Sequence, residues 1–484
     1  MYLFARDLPW KKEVGPKLKT AVIVPACGQK EPFRAEERFS KKIFKFRLFL
    51  LANINVYMAF SRPYRRLCKS GAAFFHLLFP LLIPMSTPPR ISDAEFQARQ
   101  ARTAALVAEA GLDALIVHSN EADFANVRYL SDYWPLFESA GVLVTGEGKV
   151  RLLIGPESET FARSRTKIAD VRKLGEYREP AEPDYPSISV DSFRSLIVDA
   201  VGREPKRIGL AGWAIFPLPV YRSLREAFPN AELVKADPIL FQQRAIKSDA
   251  EIACLKEAFR IVRKATDEVI AGLRPGLTEL QIAGMSQSVI YREGAEYEGL
   301  PQYVLSGPAS GHAIGRAGYR AIEKGDIVQL NLSARVHGYS ASIGVPVSIG
   351  KPSDAARKLL EFGLKAHQFT QTLMVGGKPA REVAIEYDDF VARSGFAEYQ
   401  LYGPCHGLGM IEVERPWIET TSDYNLAPGM TFQIDTYFYT PAGSELASQQ
   451  GGTFGLRWEN GCRITEGCSE LLSPEHTGLV EVDA

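Results

Sequence analysis

The sequence predicts an α+β protein: an α/β amino-terminal domain followed by a larger domain of paired helices and glycine-punctuated strands. Three observations carry this. Short apolar strands alternate with helical patterns across roughly 88–240, as in α/β domains. Two long amphipathic helices, separated by the Pro275–Gly276 turn, follow. From there to the C-terminus strand signals dominate, interrupted by one more helical pair at 352–395.

The elements read in order. "SDAEFQARQARTAALVAEAG" (92–111) has a serine cap, an acidic first turn, helical periodicity and a closing glycine. "DALIVHS" is a short buried strand, "AGVLVTGEGKVRLLIG" a hairpin turning at Gly146–Gly148, and "RIGLAG" a further strand. "DSFRSLIVDAVG" and "PVYRSLREAF" supply helices between them. The expected divisions are 1–86, 87–242 and 243–484. The first is basic and patchy, with apolar runs too short for a spanning helix, which needs ~20 residues. Those runs also lie too far from Met1 for a signal peptide. "MSTPPRISDAEF" reads as a protein start at Met85, so residues 1–84 are expected to be an over-extended start or a disordered extension, with a genuine anchor as the alternative.

At 484 residues, with 46% apolar and 24% charged side chains, the chain has the make-up of a globular protein. Basic and acidic residues balance at 57 each, so no global charge recruits nucleic acid or a membrane surface. Six scattered cysteines (Cys27, Cys68, Cys254, Cys405, Cys462, Cys468) form no CxxC pair, a usage that suits the reducing cytoplasm while leaving room for one disulfide.

Several motifs in the second half fall in a characteristic order: "RAIKSDAEI" (244–252), "RPGLTE" (274–279), "SGPASGHAIG" (306–315), "KGDIVQLNLSARVHGYSAS" (324–342), "GPCHGLGMIEVERP" (403–416), "APGMTFQID" (427–435) and "LRWENGCRITEGCSELLS" (456–473). Over about 240 residues this resembles the creatinase/aminopeptidase P/methionine aminopeptidase family, whose catalytic domain is the pita-bread fold. The preceding domain is similar in kind to the amino-terminal domain of creatinase and prolidase-like members.

The resemblance implies an active-site histidine at His312, a ligand histidine at His406, and ligand carboxylates at Asp435 and Glu459. It also implies two aspartates eleven residues apart in the 324–342 hairpin, where this chain has Asn331 and Ser342. Paired hard cations need several carboxylates to offset their repulsion, and about two negative charges stand where a complete site has about four. The expectation is therefore a metal-free site in the manner of creatinase and ectoine hydrolase. One divalent ion on His406, Asp435 and Glu459 is the other option.

Without a metal, side chains carry the chemistry. His312 is the candidate for activating water and protonating the leaving nitrogen. Asp435 and Glu459 would fix that water or cradle a cationic group, while His406 orients them or donates to a substrate oxygen. Asn331 and Ser342 would hydrogen-bond substrate; Tyr339, Glu412 and Glu414 join them as candidate contacts, and attack by a carboxylate is a further route. Nothing around Cys405 lowers its thiol pKa, so it is not the expected nucleophile. His118, His337, His367 and His476 read as structural. Each candidate has a plainer reading as a loop, turn, cap or salt-bridge residue.

The aromatic run "YLSDYWPLFESAG" (129–141) has two readings. By the resemblance it reaches a partner's active site in a homodimer, with Tyr133, Trp134 and Phe137 enclosing a cationic ligand. By its composition it packs its own domain. The preferred function is hydrolysis of a C–N bond in a small zwitterionic or cyclic amide-like molecule without a dinuclear centre. The alternatives are an Xaa-Pro peptidase, a dimethylsulfoniopropionate-type lyase and a non-catalytic binding protein.

Overall fold

A computed structural model describes residues 87–483, and the expectations for residues 1–86 lie outside them. Ser92 accepts from the Glu95 N–H and starts helix α1 (Asp93–Glu109). The chain then builds β1 (Ala114–Ser119), α2 (Ala125–Ser131), the hairpin β2 (Ala140–Thr145)–β3 (Val150–Ile154), α3 (Glu159–Arg165) and β4 (Val171–Lys173). Helix α4 (Phe193–Val201), β5 (Arg207–Ala211), α5 (Leu218–Ala227), β6 (Glu232–Lys235) and α6 (Pro238–Ala245) complete the amino-terminal part.

Its six strands lie in the order β4-β3-β2-β1-β5-β6, with β1 parallel to β5 and antiparallel to β2. Alternation divides β1 between two cores. Leu115 and Val117 pack with α1 and α2, and Ala114 and Ile116 with α4 and α5.

In the second part, capping boxes at Ser248/Glu251 and Thr278/Gln281 start α7 (Asp249–Gly272) and α8 (Glu279–Arg292). Strands β7 (Tyr303–Ser306), β8 (Ile327–Val336) and β9 (Tyr339–Ile349) follow, then α9 (Asp354–Leu373) and α10 (Ala380–Arg393). The last strands are β10 (Cys405–Gly407), β11 (Glu414–Ile418), β12 (Thr431–Tyr439), β13 (Gly455–Ile464), β14 (Ser469–Leu471) and β15 (Val480–Val482). The sheet order is β11-β10-β12-β13-β9-β8-β7, with β14 on β13 and β15 on β9.

The β8–β9 turn is the two residues His337 and Gly338, at φ 47° and 90°. Positive φ at both is what a tight hairpin with the right twist requires. That turn fixes the register that sets Asn331 opposite Gly344 and Ser333 opposite Ser342.

Helix α7 packs on β8 and β9, α8 packs on α7 and β7, and α9 covers β12 and β13. Trp458 donates its indole N–H to the Leu360 carbonyl, and the His367 ring lies 3.0 Å from the Asn460 amide oxygen. Trp458 and Asn460 thus face α9, leaving Arg457 and Glu459 to face the other way. Among the described residues no helix is long and apolar enough to cross a membrane, and the four cysteines there are free.

Burial holds the His118 ring near pKa 4 and the His367 ring near 3, both below the ordinary value for histidine. The unfolded chain therefore takes up protons first. Their contribution to stability is complete above pH ~6.5 and is lost as pH falls from there towards the folded values. Urea titrations should show stability falling below pH ~6.5, by up to ~1.4 kcal/mol per pH unit for each ring. His118→Phe should flatten that limb.

Candidate functional site

In an antiparallel sheet, directly paired residues point to the same face. Asn331 on β8 pairs with Gly344 on β9, Gly344 with Glu459 on β13, and Glu459 with Asp435 on β12. These four positions form one row across four strands. Two residues away on the same strands stand Ser342, Arg457 and Gln433, and Gln433 pairs with His406 on β10. One face of the sheet thereby gathers Asn331, Ser342, His406, Gln433, Asp435, Arg457 and Glu459. Gly344 makes room for them: a Cβ there would lie 2.7 Å from Glu459 Cβ and 3.0 Å from Arg457 Cγ.

Glu459 has no exposed surface. Its Oε2 accepts from Asn331 Nδ2 at 2.6 Å, and its Oε1 from Gln433 Nε2 at 2.6 Å. Ser342 Oγ lies 2.6 Å from the same Oε1 and 2.9 Å from Glu412 Oε1. One hydroxyl proton cannot serve both carboxylates. Burial first, then the charges of Glu412 and Asp435, raise the Glu459 carboxyl well above the ordinary range. Burial raises Glu412 as well.

Asp435 is answered differently. Its Oδ2 accepts from Tyr402 OH at 2.7 Å and lies 3.4 Å from Arg457 Nη1. Arg457 also donates to the Ala313 carbonyl at 2.7 Å and to Tyr402 OH at 3.1 Å. His406 Nε2 stands 3.9 Å from Asp435 Oδ2 and 4.0 Å from Glu412 Oε1. The glycines around His406 have a steric reason: a Cβ on Gly407 would lie 2.5 Å from the Glu414 carbonyl oxygen, and one on Gly409 would meet the Glu414 carboxylate.

Of the expected residues, the structure gathers His406, Asp435, Glu459, Asn331, Ser342 and Glu412. His312 is exposed at the end of the 307–311 turn; its carbonyl accepts from Gln329 Nε2 at 3.3 Å, and among the described residues its ring meets no hydrogen-bond partner.

Three substrate contacts are corrected. Tyr339 lies an odd number of residues from Ser342, so alternation turns it to the opposite face, where its OH donates to Glu251 at 2.6 Å and accepts from Arg99. Glu414 pairs with Gly407 rather than His406 and is tied to Arg244 and Lys247. Burial alone would raise its carboxyl, but those two cations hold it below the ordinary range. Trp134, half-buried, donates to the Glu121 carbonyl at 3.0 Å and packs on Phe124, Tyr297 and Arg335, so it lies against its own chain's core. Tyr133 is buried, edge-on to Phe161. Phe137 is 75% exposed, outside the row. Cys405 is buried, and burial pushes its thiol up, away from nucleophilic use.

Gln433, Arg457 and Tyr402 escaped the sequence reading. For the first two a signal exists: polar residues at every second position of "TFQID" and "LRWE". Tyr402 lies in a loop and carries none.

Removing one partner of a buried ion pair leaves the others uncompensated. Glu414→Ala should therefore cost ~3–5 kcal/mol in urea unfolding, a loss of stability rather than of substrate affinity.

Residues 99–246 match the creatinase/prolidase N-terminal domain, and residues 253–466 match metallopeptidase family M24. The chain is 27% identical over 349 residues to the Xaa-Pro dipeptidase of Pyrococcus furiosus, covering 72% of this chain and 92% of that protein. It is 24% identical over 411 residues to the creatinase of a Bacillus species, covering 80% and 94%. The crystal structure of the X-Pro aminopeptidase from Thermotoga maritima superposes with a TM-score of 0.67 at 24% identity, over 79% of this chain and 99% of that one. That likeness establishes the fold. With both domains in tandem, the chain belongs to the creatinase/aminopeptidase P family and has its pita-bread architecture.

Proposed function

We propose that this protein is a hydrolase of C–N bonds acting on short peptides, with Xaa-Pro dipeptides as its substrate class. This corrects the expectation of a metal-independent hydrolase of a non-peptide amide. Relatives matching most of the chain are named Xaa-Pro dipeptidases, from Pyrococcus horikoshii as well as P. furiosus, which favours the peptidase alternative.

The observation that carries the reading is the buried cluster itself: an imidazole, two carboxylates and a guanidinium on one face of the sheet, with the Glu412 carboxylate beside them. The family's name implies a metal. Imidazole nitrogen and carboxylate oxygen suit a divalent cation, and two buried oxygens beside them, Asn331 Oδ1 and Asp435 Oδ1, have no hydrogen-bond partner among the described residues. The residues present fit such an ion, and His406 and Glu459 with one further carboxylate would hold it. When bound, it polarises a carbonyl and lowers the pKa of water.

The chain's own residues do the rest. Arg457 and Tyr402 hold Asp435 in place, and Asn331, Gln433 and Ser342 orient Glu459. His312, on the exposed turn whose next carbonyl accepts from Arg457, is the proton donor to the leaving nitrogen. A homodimer in the cytoplasm belongs to the same reading, with the exposed Phe137 ring free for a second chain to cover.

Purified protein supplied with Mn²⁺ should release proline from Xaa-Pro dipeptides. His406→Ala should lower kcat/KM by ~100-fold or more, and His312→Ala should lower kcat with KM little changed. Metal-loaded protein that leaves every Xaa-Pro dipeptide intact would reject this substrate class.

A further inference from the structure

We infer that Glu412 is a ligand of the cleft's divalent cation, completing with His406 and Glu459 a set of one imidazole and two carboxylates. It stands in for the carboxylates that Asn331 and Ser342 do not supply.

Geometry is the first support. A nitrogen of His406 and one oxygen each of Glu412 and Glu459 all lie within 4.8 Å of one another, and all three side chains are buried. Small side-chain rotations close that spacing onto one ion. Glu412 lies in the segment that connects β10 to β11, two strands paired antiparallel. That return brings the carboxylate six residues beyond His406 back to within 4.0 Å of the His406 ring.

Charge is the second. Asp435 has its cation already, Arg457 at 3.4 Å, together with the Tyr402 hydroxyl. Glu412 and Glu459 meet chiefly neutral donors, Ser342, Asn331 and Gln433, with Arg457 no nearer than 3.9 Å to Glu459. Two carboxylates buried among neutral dipoles are costly unless a cation joins them, and one divalent ion matches their combined charge. Third, Asn331 Oδ1 and Asp435 Oδ1 are buried without partners on side chains that already touch this cluster. They offer lone pairs to whatever the ion brings with it.

The inference deepens the peptidase reading and rests on it only for the presence of a cation. Its readout is metal binding, so the choice of substrate is tested separately.

The full-length protein, stripped with a chelator, is titrated with Mn²⁺ alone by calorimetry, and the melting of every variant is checked by circular dichroism. The wild type should bind about one equivalent. Glu412→Gln should weaken binding about tenfold or more, and Asp435→Asn by less. The pair Asn331→Asp with Ser342→Asp should admit a second equivalent, because it returns two carboxylates to the hairpin. A folded Glu412→Gln with wild-type affinity overturns the inference, as does a wild type that binds no Mn²⁺. Should Glu412→Gln fail to fold, Glu412→Asp decides: a shortened arm should lower the affinity, and unchanged affinity overturns the inference. Glu412-dependent binding without Xaa-Pro cleavage would sustain the ligand assignment and reject the substrate alone.

Discussion

A carboxylate deprived of water must find its hydrogen bonds or its counter-charge inside the protein, and Glu459 is the centre of such a search. Amide donors on β8 and β12 and a hydroxyl on β9 converge on its two oxygens. Each is placed by strand pairing rather than by a loop. The precision of the cleft therefore comes from register: a slip of one residue on β9 would turn Ser342 away and bring Ala341 or Ile343 to the carboxylate. The two-residue turn at His337–Gly338 guards that register, although neither residue belongs to the row.

The same constraint explains the division of labour among the acids. Three carboxylates share a small buried volume with one guanidinium, so they cannot all be served alike. Arg457 sides with Asp435, and the remaining pair is left with neutral donors. That asymmetry, rather than the spacing of ligands along the chain, separates a positioning acid from acids able to grip a cation. It is the ground on which Glu412, rather than Asp435, is inferred to be the third ligand.

Much of this architecture was legible. Caps at Ser92, Ser248 and Thr278, the turn at Pro275–Gly276 and the alternating strands each follow from local chemistry, and each sits where the periodicity predicts. The spacing of Asn331 and Ser342, and the glycines around His406, also located the row. Substrate contacts were harder. Tyr339 and Glu414 lie next to true row residues in sequence, and only strand parity and pairing partner show that they face elsewhere. Glu412 and Tyr402 both lie outside the strands, where no alternation signals direction. Proximity along a chain is a poor guide to proximity in a sheet, where one residue's offset reverses direction.

The residues that left the site have a shared destination, the junction between the two parts of the chain. Tyr339 joins Arg99 of α1 to Glu251 of α7, and Glu414 joins Arg244 of α6 to Lys247 just before α7. Arg335 lies over the Phe124 and Trp134 rings of the amino-terminal part. These contacts begin at the ends of β9, β8 and β11, the strands or strand neighbours that carry Ser342, Asn331 and Glu412. Anchoring at the junction and placement at the cleft are thus two ends of the same elements. A buried ion pair at one end adds little net stability, but it admits few alternative geometries. The amino-terminal part thus touches the same strands, at their far ends, that carry the row.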